Sequence, residues 1–124
     1  MIDFTNKNLI KLKEMDNKDG QKVVEKLLIP DEIFVFSFSS MSDKLIFTNK
    51  IIISVNVHVI NGAKTDYTSI PYSKIQVFSI ETAGTFDLDA ELDVTISGLG
   101  TVRFELSSKT NIRELGQHMS KYIL

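Results

Sequence analysis

Two spacings of hydrophobic residues divide the chain into a helical beginning, a long strand-rich middle and a helical end. Residues 19–30 carry apolar side chains at roughly helical spacing, with Asp19 able to cap the helix. Pro30 should end it, because proline disfavours the α conformation in the residue before it. Residues 110–124 have one apolar stripe, at positions 112, 115, 119, 122 and 123, and Thr110 can serve as its N-cap. The pattern therefore predicts a helix on either side of the middle region.

Between these helices the hydrophobic period is two, which is typical of strands. Seven short strands are expected, at 33–39, 44–47, 51–60, 65–70, 75–80, 86–96 and 101–106. The strongest turn signal is Asn61-Gly62, and Asn49 in the preceding turn can adopt a positive φ. Phe34, Phe36 and Phe38 should lie on one face of the first strand and enter the core. Seven strands joined by turns predict a mostly β, antiparallel sandwich or barrel, closed by the C-terminal helix.

The polar segment at the beginning of the chain gives a weaker signal. Residues 1–18 contain scattered apolar positions and could form a loose arm or a short helix. No internal repeat, linker or low-complexity run interrupts the remainder. We therefore predict one domain over residues 19–124, preceded by an N-terminal polar arm over residues 1–18.

Charge and cysteine content limit the classes of function. The 124 residues carry a formal net charge of −2, so no overall field favours nucleic acid or an anionic membrane. The chain has no cysteine, which excludes disulfides, thiolate catalysis and cysteine zinc sites and fits a reducing compartment. The first residues lack the apolar core of a signal peptide, and no run approaches the roughly 20 apolar residues of a membrane-spanning helix. We therefore expect a cytoplasmic protein.

The most distinctive charge feature is the stretch FDLDAELDV at 86–94, in which acidic and apolar residues alternate strictly. On a strand, the acidic side chains should project from one face about 7 Å apart, given a rise of ~3.3 Å per residue. These candidate residues are Asp87, Asp89, Glu91 and Asp93, and their apolar neighbours Leu88, Ala90, Leu92 and Val94 should enter the core. Segment 81–93 holds five acidic residues and no base, so it sums to −5 while the rest of the chain sums to +3.

Three interpretations of this acidic strand stay open, and a solvated or interface face is favoured. A Ca²⁺ site needs converging oxygens, whereas carboxylates on a straight strand point in parallel, which leaves at most a weak cation site. The spacing is compatible with a glycosidase carboxylate pair, but the chain has no tryptophan to stack on a sugar. Like charges in a row repel by up to ~1 kcal/mol per neighbour. Basic residues of a partner surface, such as a neighbouring subunit, would relieve that cost.

Two other features favour structural roles. The only histidines are His58, in a β-branched strand, and His118, on the last helix, and nothing in the sequence marks a nucleophile and an orienting group beside either. Ser97-Gly98-Leu99-Gly100 lacks the following lysine and helix of a phosphate loop and is typical of a hairpin turn.

Three blocks of sequence resemble the bacterial pleckstrin-homology (PH) domain family. They are FTNK at 47–50, SIPYSKI at 69–75 and FSIETAGTFDLDAEL at 78–92, the last two being the more specific. The resemblance covers roughly residues 20–124. Ile51 departs from it, because a basic residue is expected after the TNK turn, and the first 18 residues are unmatched.

The resemblance implies a PH-like split barrel that self-associates into a ring-like homo-oligomer and has no established catalytic activity. It does not imply phosphoinositide binding. Lipid-binding PH domains hold phosphates with basic residues around their first hairpin, and here only Lys44 stands beside that turn, whereas a multiply phosphorylated headgroup needs several charge-assisted contacts.

The sequence therefore favours a non-enzymatic PH-like domain that forms a homo-oligomer and acts as a protein-interaction or assembly module. No catalytic, cofactor-binding or metal-ligating residue is predicted, and Asp87, Asp89, Glu91 and Asp93 are the candidate interface. Another protein or a peptide is the expected partner besides a second copy. The absence of a basic stripe with interleaved aromatics argues against nucleic acid. The alternatives are a membrane or lipid adaptor, which would need a basic headgroup pocket, and an enzyme with an unusual carboxylate site.

Overall fold

The computed structural model describes residues 1–2, 4, 12–41, 43–58, 64–82, 90–107 and 110–123, with only the backbone of His58. In chain order the elements are β1 (Lys13–Glu14), α1 (Asn17–Val24), β2 (Phe34–Ser39), β3 (Asp43–Thr48), β4 (Ile51–His58), β5 (Lys64–Pro71), a 3₁₀ helix (Tyr72–Lys74), β6 (Ile75–Glu81), β7 (Ala90–Ile96), β8 (Gly100–Leu106) and α2 (Ile112–Ile123).

The strands form two antiparallel sheets, in the orders β1-β2-β3-β4-β5 and β6-β7-β8. The sheets are joined at one corner by Leu12, whose N–H donates to the Glu105 carbonyl at 2.9 Å and whose carbonyl accepts from the Ser107 N–H at 2.8 Å. At the opposite corner the 3₁₀ helix leads the chain from β5 into β6. The predicted mostly β architecture with a C-terminal helix is thereby confirmed.

The main core draws on both sheets and on α2. Phe47 and Leu92, from different sheets, are fully buried in it, as is Met119 on α2. The stripe predicted for the last helix is confirmed: Leu115 and Met119 are buried, and Ile112, Tyr122 and Ile123 pack against the same cluster. Burial of this stripe holds α2 against the barrel, since amphipathic helices gain most of their stability from such packing.

A second hydrophobic cluster lies on the other face of the five-stranded sheet. Val24 of α1 is buried there with Ile46, Ile53 and Val55 of β3 and β4. Both faces of the central strands are therefore covered, which explains why β3 and β4 contain continuous apolar runs instead of strict alternation.

The prediction that three phenylalanines of β2 share one face is wrong for Phe34. Phe38 is buried in the main core and Phe36 packs against it, but Phe34 packs against the second cluster. The register with β3 shifts between Phe34 and Phe36. Such a bulge adds one residue to the strand, and a shift of one residue turns a side chain to the opposite face.

Both helices begin at caps other than the predicted ones. Asp16, not Asp19, caps α1, because its carboxylate accepts the Lys18 N–H at 2.8 Å. At α2 the cap is Asn111 in place of Thr110, since Asn111 Oδ1 accepts the Glu114 N–H at 3.1 Å. A short polar side chain one position away can satisfy the same free N–H groups, so spacing alone does not select the cap.

The first helix also ends earlier than predicted, at Val24 and not at Pro30. The N–H groups of Leu27 and Leu28 both donate to the Val24 carbonyl, at 2.8 and 3.2 Å. This tight turn lets Leu28 pack against the second cluster while Leu27 stays exposed.

Part of the predicted polar arm contributes to the main core, where Ile2 and Leu12 are buried. The sequence did not predict the pairing of β1 with β2, because a strand of two residues is too short to show alternation. The division at residue 18 remains a prediction.

The predicted Asn61-Gly62 turn and positions 86–89 of the acidic strand lie outside the described residues.

The packing of α1 on β2 depends on the absence of a side chain at Gly20. A Cβ there would lie 2.8 Å from Ser37 Cβ and closer still to its Oγ, while Ser37 is itself buried. We expect Gly20→Ala to lower the free energy of unfolding by about 1–2 kcal/mol, because the overpacking cost exceeds the gain in helix propensity. Urea denaturation measures this change.

Gly116→Ala is the matched control. Its Cβ would lie 3.5 Å from Ile80 Cδ1, an ordinary contact in the middle of α2. We expect no loss of stability, or a gain of up to about 1 kcal/mol from helix propensity. Equal losses in the two variants would contradict the proposed close approach at Gly20.

Candidate functional site

The acidic strand is β7, and its described part alternates as predicted. Ala90, Leu92 and Val94 are buried in the main core, so Glu91 and Asp93 lie on the opposite, outer face of the three-stranded sheet. Asp87 and Asp89 lie outside the described residues. The inward apolar residues fix the outward direction of the carboxylates, because successive side chains of a strand point to opposite faces.

The neighbouring strands enlarge this acidic surface. Glu91 lies directly opposite Glu81 of β6 on one side and Glu105 of β8 on the other, so three glutamates form one row across the sheet. In the adjoining row Asp93 lies opposite Arg103. We call the residues Glu81, Glu91, Asp93, Arg103 and Glu105 the acidic face; it carries four carboxylates and one guanidinium.

Arg103 of β8 provides a positive charge beside the acidic residues of β7, where a basic residue of another subunit was expected. Its Nε and Nη2 donate to the two carboxylate oxygens of Asp93 at 2.8 and 3.0 Å, and its Nη1 lies 3.3 Å from Glu91 Oε2. Hydrogen bonding to Asp93 and the negative charge around it raise the pKa of Arg103 above its ordinary value. The repulsion within β7 is therefore relieved partly inside the chain, while the row of glutamates keeps the surface negative.

We expect Arg103→Met to lower the free energy of unfolding by about 1 kcal/mol at low salt, because Glu91 and Asp93 would lose their shared arginine in a partly exposed site. Salt should reduce this loss by screening the remaining repulsion. Urea denaturation at two salt concentrations measures both effects.

Arg103→Lys is the control, since it keeps the positive charge but cannot form the two parallel bonds to Asp93. An intermediate loss is expected. A salt-independent loss in Arg103→Met equal to that in Arg103→Lys would point to packing of the side-chain stem and contradict the electrostatic explanation.

The described part of the acidic face has neither a metal-ligand cluster nor a cleft. No group of three or more His, Asp or Glu side chains able to hold a metal ion occurs among the residues the structure describes. Three clefts, of about 200, 600 and 480 Å³, are lined by other residues. The cation-site and catalytic interpretations stay predictions for the undescribed Asp87 and Asp89.

The first hairpin, where a lipid headgroup would bind, carries slightly more positive charge than expected. Lys44 lies opposite Ser39, and Ser39 lies opposite Lys13 of β1 on its other side. Asp43 stands beside Lys44 and accepts a hydrogen bond from Asn56 Nδ2 at 2.8 Å. Two lysines with an adjacent carboxylate are a weak phosphate site, because each lysine acts as a single point charge.

A buried hydrogen-bonded network joins the sequence blocks at the opposite corner of the barrel. The Tyr72 hydroxyl donates to the Thr48 carbonyl at 2.7 Å and lies 2.6 Å from His118 Nε2. With the phenolic hydrogen assigned to the Thr48 carbonyl, the matching His118 tautomer carries its hydrogen on Nε2 and donates to the Tyr72 oxygen. Burial raises the pKa of Tyr72, so this hydroxyl stays protonated. His118 is therefore a structural residue of the core, as the sequence favoured; the side chain of His58 lies outside the described atoms.

The turn after β3 is fixed by polar side chains around this network. Thr48 Oγ1 lies 2.6 Å from Glu32 Oε2 and accepts the Lys50 and Ile51 N–H groups at 3.0 Å each. Asn49 Nδ2 donates to the Asp31 carbonyl at 3.1 Å. Among the described non-glycine residues, the positive φ is at Asp31, at 74°, and not at Asn49 as expected. Asn49 thus stabilises the neighbouring Pro30–Asp31 turn through its side chain.

His118 gives stability a defined pH dependence. Burial, with a small contribution from Lys121, lowers the pKa of His118 from 6.5 to about 4, although its contact with the Thr48 carbonyl opposes this shift. His118 is therefore protonated below about pH 6.5 in the unfolded chain but only below about pH 4 in the folded chain. We expect up to about 3 kcal/mol of stability, present above pH 6.5, to be lost as the pH falls to 4.

The measurement is the free energy of unfolding of wild type and His118→Gln from pH 7.5 to 4.5. His118→Gln should be less stable at neutral pH and should lose less stability on acidification. His58→Gln, which keeps His118, is the control that measures the slope with His118 in place. An unchanged slope in His118→Gln would contradict the assignment.

Sequence reasoning missed Arg103 and the Tyr72 network for different reasons. A short turn between β7 and β8 fixes which residues face each other, so the Gly98-Leu99-Gly100 signal could have paired Asp93 with Arg103. Tyr72 and His118 are 46 positions apart. No local pattern could bring them together.

Comparisons with known proteins agree with the resemblance of the three sequence blocks. A family model described as "Bacterial PH domain" matches residues 3–123, which includes most of the segment that the sequence blocks left unmatched. The uncharacterised protein YjqA of Bacillus subtilis (strain 168) is 44% identical over 78 residues, which are 63% of this chain and 62% of YjqA. The chain thus covers less than two thirds of that relative.

Two crystal structures are similar to this one. A protein with a pleckstrin-homology domain from Shewanella loihica PV-4 is 30% identical, with a TM-score of 0.80, over 92% of this chain and 98% of that one. A pleckstrin homology domain from Shewanella amazonensis SB2B is 33% identical, with a TM-score of 0.67, over 90% and 91%. These similarities confirm the PH-like arrangement of the two sheets and α2.

Proposed function

This chain belongs to the bacterial PH domain family, and we propose that it is a non-enzymatic module that self-associates and presents its acidic face to a basic protein surface. A cytoplasmic location, expected from the cysteine-free composition, is part of this proposal. The observation that carries it is the row Glu81–Glu91–Glu105 across the three-stranded sheet. Like charges directly opposite each other destabilise a sheet, and a protein keeps such a row at lower cost when a basic partner covers it.

The charge of the acidic face supports binding more than catalysis. Arg103 engages Asp93 and Glu91, while Glu81 and Glu105 add two further carboxylates to the same face. Acid–base catalysis needs carboxylates placed in a cleft that holds the substrate, and the three clefts described above are lined by other residues. The carboxylates do create a negative field that attracts positively charged surfaces and speeds their association.

A further observation concerns membranes. No helix within the described part of the chain is long and apolar enough to cross a bilayer. The first hairpin offers Lys13 and Lys44 beside Asp43, which is too little positive charge for a strong headgroup site. The weak positive charge of the first hairpin favours a protein partner over an anionic lipid.

The test of self-association is the mass of the protein in solution, by light scattering after size-exclusion chromatography at micromolar concentration. We expect a multiple of the 14.0 kDa chain mass. A clean monomer would overturn the self-association part of the proposal.

Charge reversal tests the role of the acidic face. Glu105→Lys on β8 should weaken binding to a basic probe such as polylysine by about tenfold or shift the salt dependence, since a rim charge mainly affects association and its salt response. Glu25→Lys, an exposed glutamate near the end of α1, is the matched control with the same change in net charge. Equal effects of both variants would show a response to net charge alone and contradict a specific acidic face.

A further inference from the structure

A cleft of about 600 Å³ lies at the corner where the chain passes from β5 to β6. Its described lining comes from the end of β5, the 3₁₀ helix, the start of β6, the turn between β7 and β8, and two residues at the beginning of the chain. We call it the corner cleft. It shares no described residue with the acidic face or with the first hairpin, so the proposed function does not account for it.

The deepest part of the corner cleft is apolar. Ile70 and Ile75 are buried in the main core, and Phe4 and Ile96 pack against the same cluster. Small-molecule sites are typically clefts of about 300–1,000 Å³ with a mostly apolar lining and a few polar groups. The volume and the floor of this cleft therefore favour a ligand with an apolar body.

Contacts within the chain hold the walls in place. The Ile2 N–H donates to Thr68 Oγ1 at 2.9 Å, which fixes the beginning of the chain against β5. On the other side, a Cβ at Gly100 would lie 2.9 Å from the Phe4 carbonyl oxygen, so the chain at Phe4 packs directly on the turn. Gly100 has a φ of 125°, which glycine adopts without a steric cost. The cleft is therefore formed without a ligand.

The rim carries two exposed apolar side chains. Leu99, at the tip of the turn between β7 and β8, is 56% exposed, although small and polar residues are typical of turns. Its N–H donates to the Ile96 carbonyl at 3.1 Å, and Gly98 and Gly100 flank it. Met1 is exposed beside the same cleft. An apolar ligand in the cleft would remove both side chains from water, which is favourable.

Lys74 gives the rim a positive charge. It is exposed, and it is the one charged side chain among the described residues that line the cleft. It has no ion-pair partner in the described part of the chain, whereas the Met1 ammonium is paired with Asp66. A single lysine acts as a point charge. It matches one carboxylate better than a multiply charged phosphate, which needs several charge-assisted contacts.

Serine hydroxyls provide further donors for an anionic group. Ser73 precedes Lys74 in the 3₁₀ helix, and Ser69 and Ser97 line the same cleft. None of the three hydroxyls forms a hydrogen bond with another described residue. Each can therefore donate its O–H to a carboxylate oxygen.

From the apolar floor, the unpaired lysine and the exposed turn leucine we infer that the corner cleft binds a small amphipathic carboxylate. The apolar part of the ligand lies on Ile70 and Ile75, and its carboxylate meets Lys74. An uncharged apolar molecule would leave the lysine unused, and a small polar anion would leave the floor uncovered. The inference goes beyond the proposed function, because it needs neither self-association nor the acidic face.

The first experiment is a titration of the full chain with octanoate, followed by ¹H–¹⁵N NMR. We expect saturable binding with a dissociation constant of about 1 mM or lower, as suits an apolar ligand of this size. The largest shifts should fall at residues 69–76 and 96–100. Octan-1-ol, which has the same alkyl chain without the charge, is titrated in parallel.

The second experiment removes the positive charge. Lys74→Gln should raise the dissociation constant for octanoate by about tenfold, because it removes a charge-assisted contact, and should leave that for octan-1-ol unchanged. Lys50→Gln is the matched control, since Lys50 is an exposed lysine that borders the separate cleft of about 480 Å³. It should retain both wild-type affinities.

The third experiment alters the rim. Leu99→Asp should weaken octanoate binding by about tenfold or more, because it removes an apolar wall and adds a like charge. Leu27→Asp is the control with the same change, since Leu27 is 46% exposed and lines the separate cleft. Its affinity should be that of wild type. Thermal denaturation checks that all four variants are folded.

The outcomes decide between occupants. Absence of octanoate binding, or shifts confined to other residues, would overturn the inference. Equal affinities of wild type and Lys74→Gln for octanoate would overturn the assignment of a carboxylate. A short peptide with an apolar last residue and a free carboxylate is titrated as well; binding of that peptide without binding of octanoate would assign the cleft to a protein terminus and overturn the small-molecule ligand.

Weaker octanoate binding in Lys74→Gln and Leu99→Asp, with both controls at wild-type affinity, supports the inference. These measurements are independent of the mass of the protein and of its binding to polylysine. Their failure would therefore leave the proposed function standing.

Discussion

The Tyr72 hydroxyl fixes the corner on which the arrangement of the two sheets depends. It bonds to the end of β3 through the Thr48 carbonyl and to α2 through His118, while the Tyr72 N–H donates to the Lys50 carbonyl at 3.0 Å. Tyr72 lies where the chain leaves one sheet for the other. A buried network of this kind is costly to break, because each group left without a partner pays its full desolvation penalty.

The position of this corner determines which strand is left at the edge. Because the 3₁₀ helix turns the chain immediately into β6, β5 and β6 belong to different sheets and do not pair. The opposite corner is bonded through Leu12. Among the described residues, the two sheets are therefore bonded to each other at the Leu12 corner, while β6 pairs with β7 alone.

Burial of one face of the three-stranded sheet determines which side chains lie on its other face. Leu92 and Val94 must enter the core, so Glu91 and Asp93 must point outward, whatever they contact there. Arg103 then relieves part of their repulsion from the next strand. The result, among the described residues, is a sheet face that carries four carboxylates and one guanidinium.

The sequence by itself determined the features that depend on neighbouring residues. Alternating patterns and continuous β-branched runs identified the seven longer strands, and the apolar stripe identified α2, because these patterns report burial directly. The resemblance of three sequence blocks identified the family. The prediction for Phe34 failed because a bulge inserts one extra residue into β2. The alternation of apolar residues does not reveal such an insertion.

Only the tertiary structure decided the features that depend on distant residues. The row Glu81–Glu91–Glu105, the Arg103 contacts and the Tyr72–His118 bond each join positions from different elements. Strand order and register create these relations, and they are set by how the whole chain shares one core. The sequence could therefore locate acidic residues on one strand, but not the surface to which they belong.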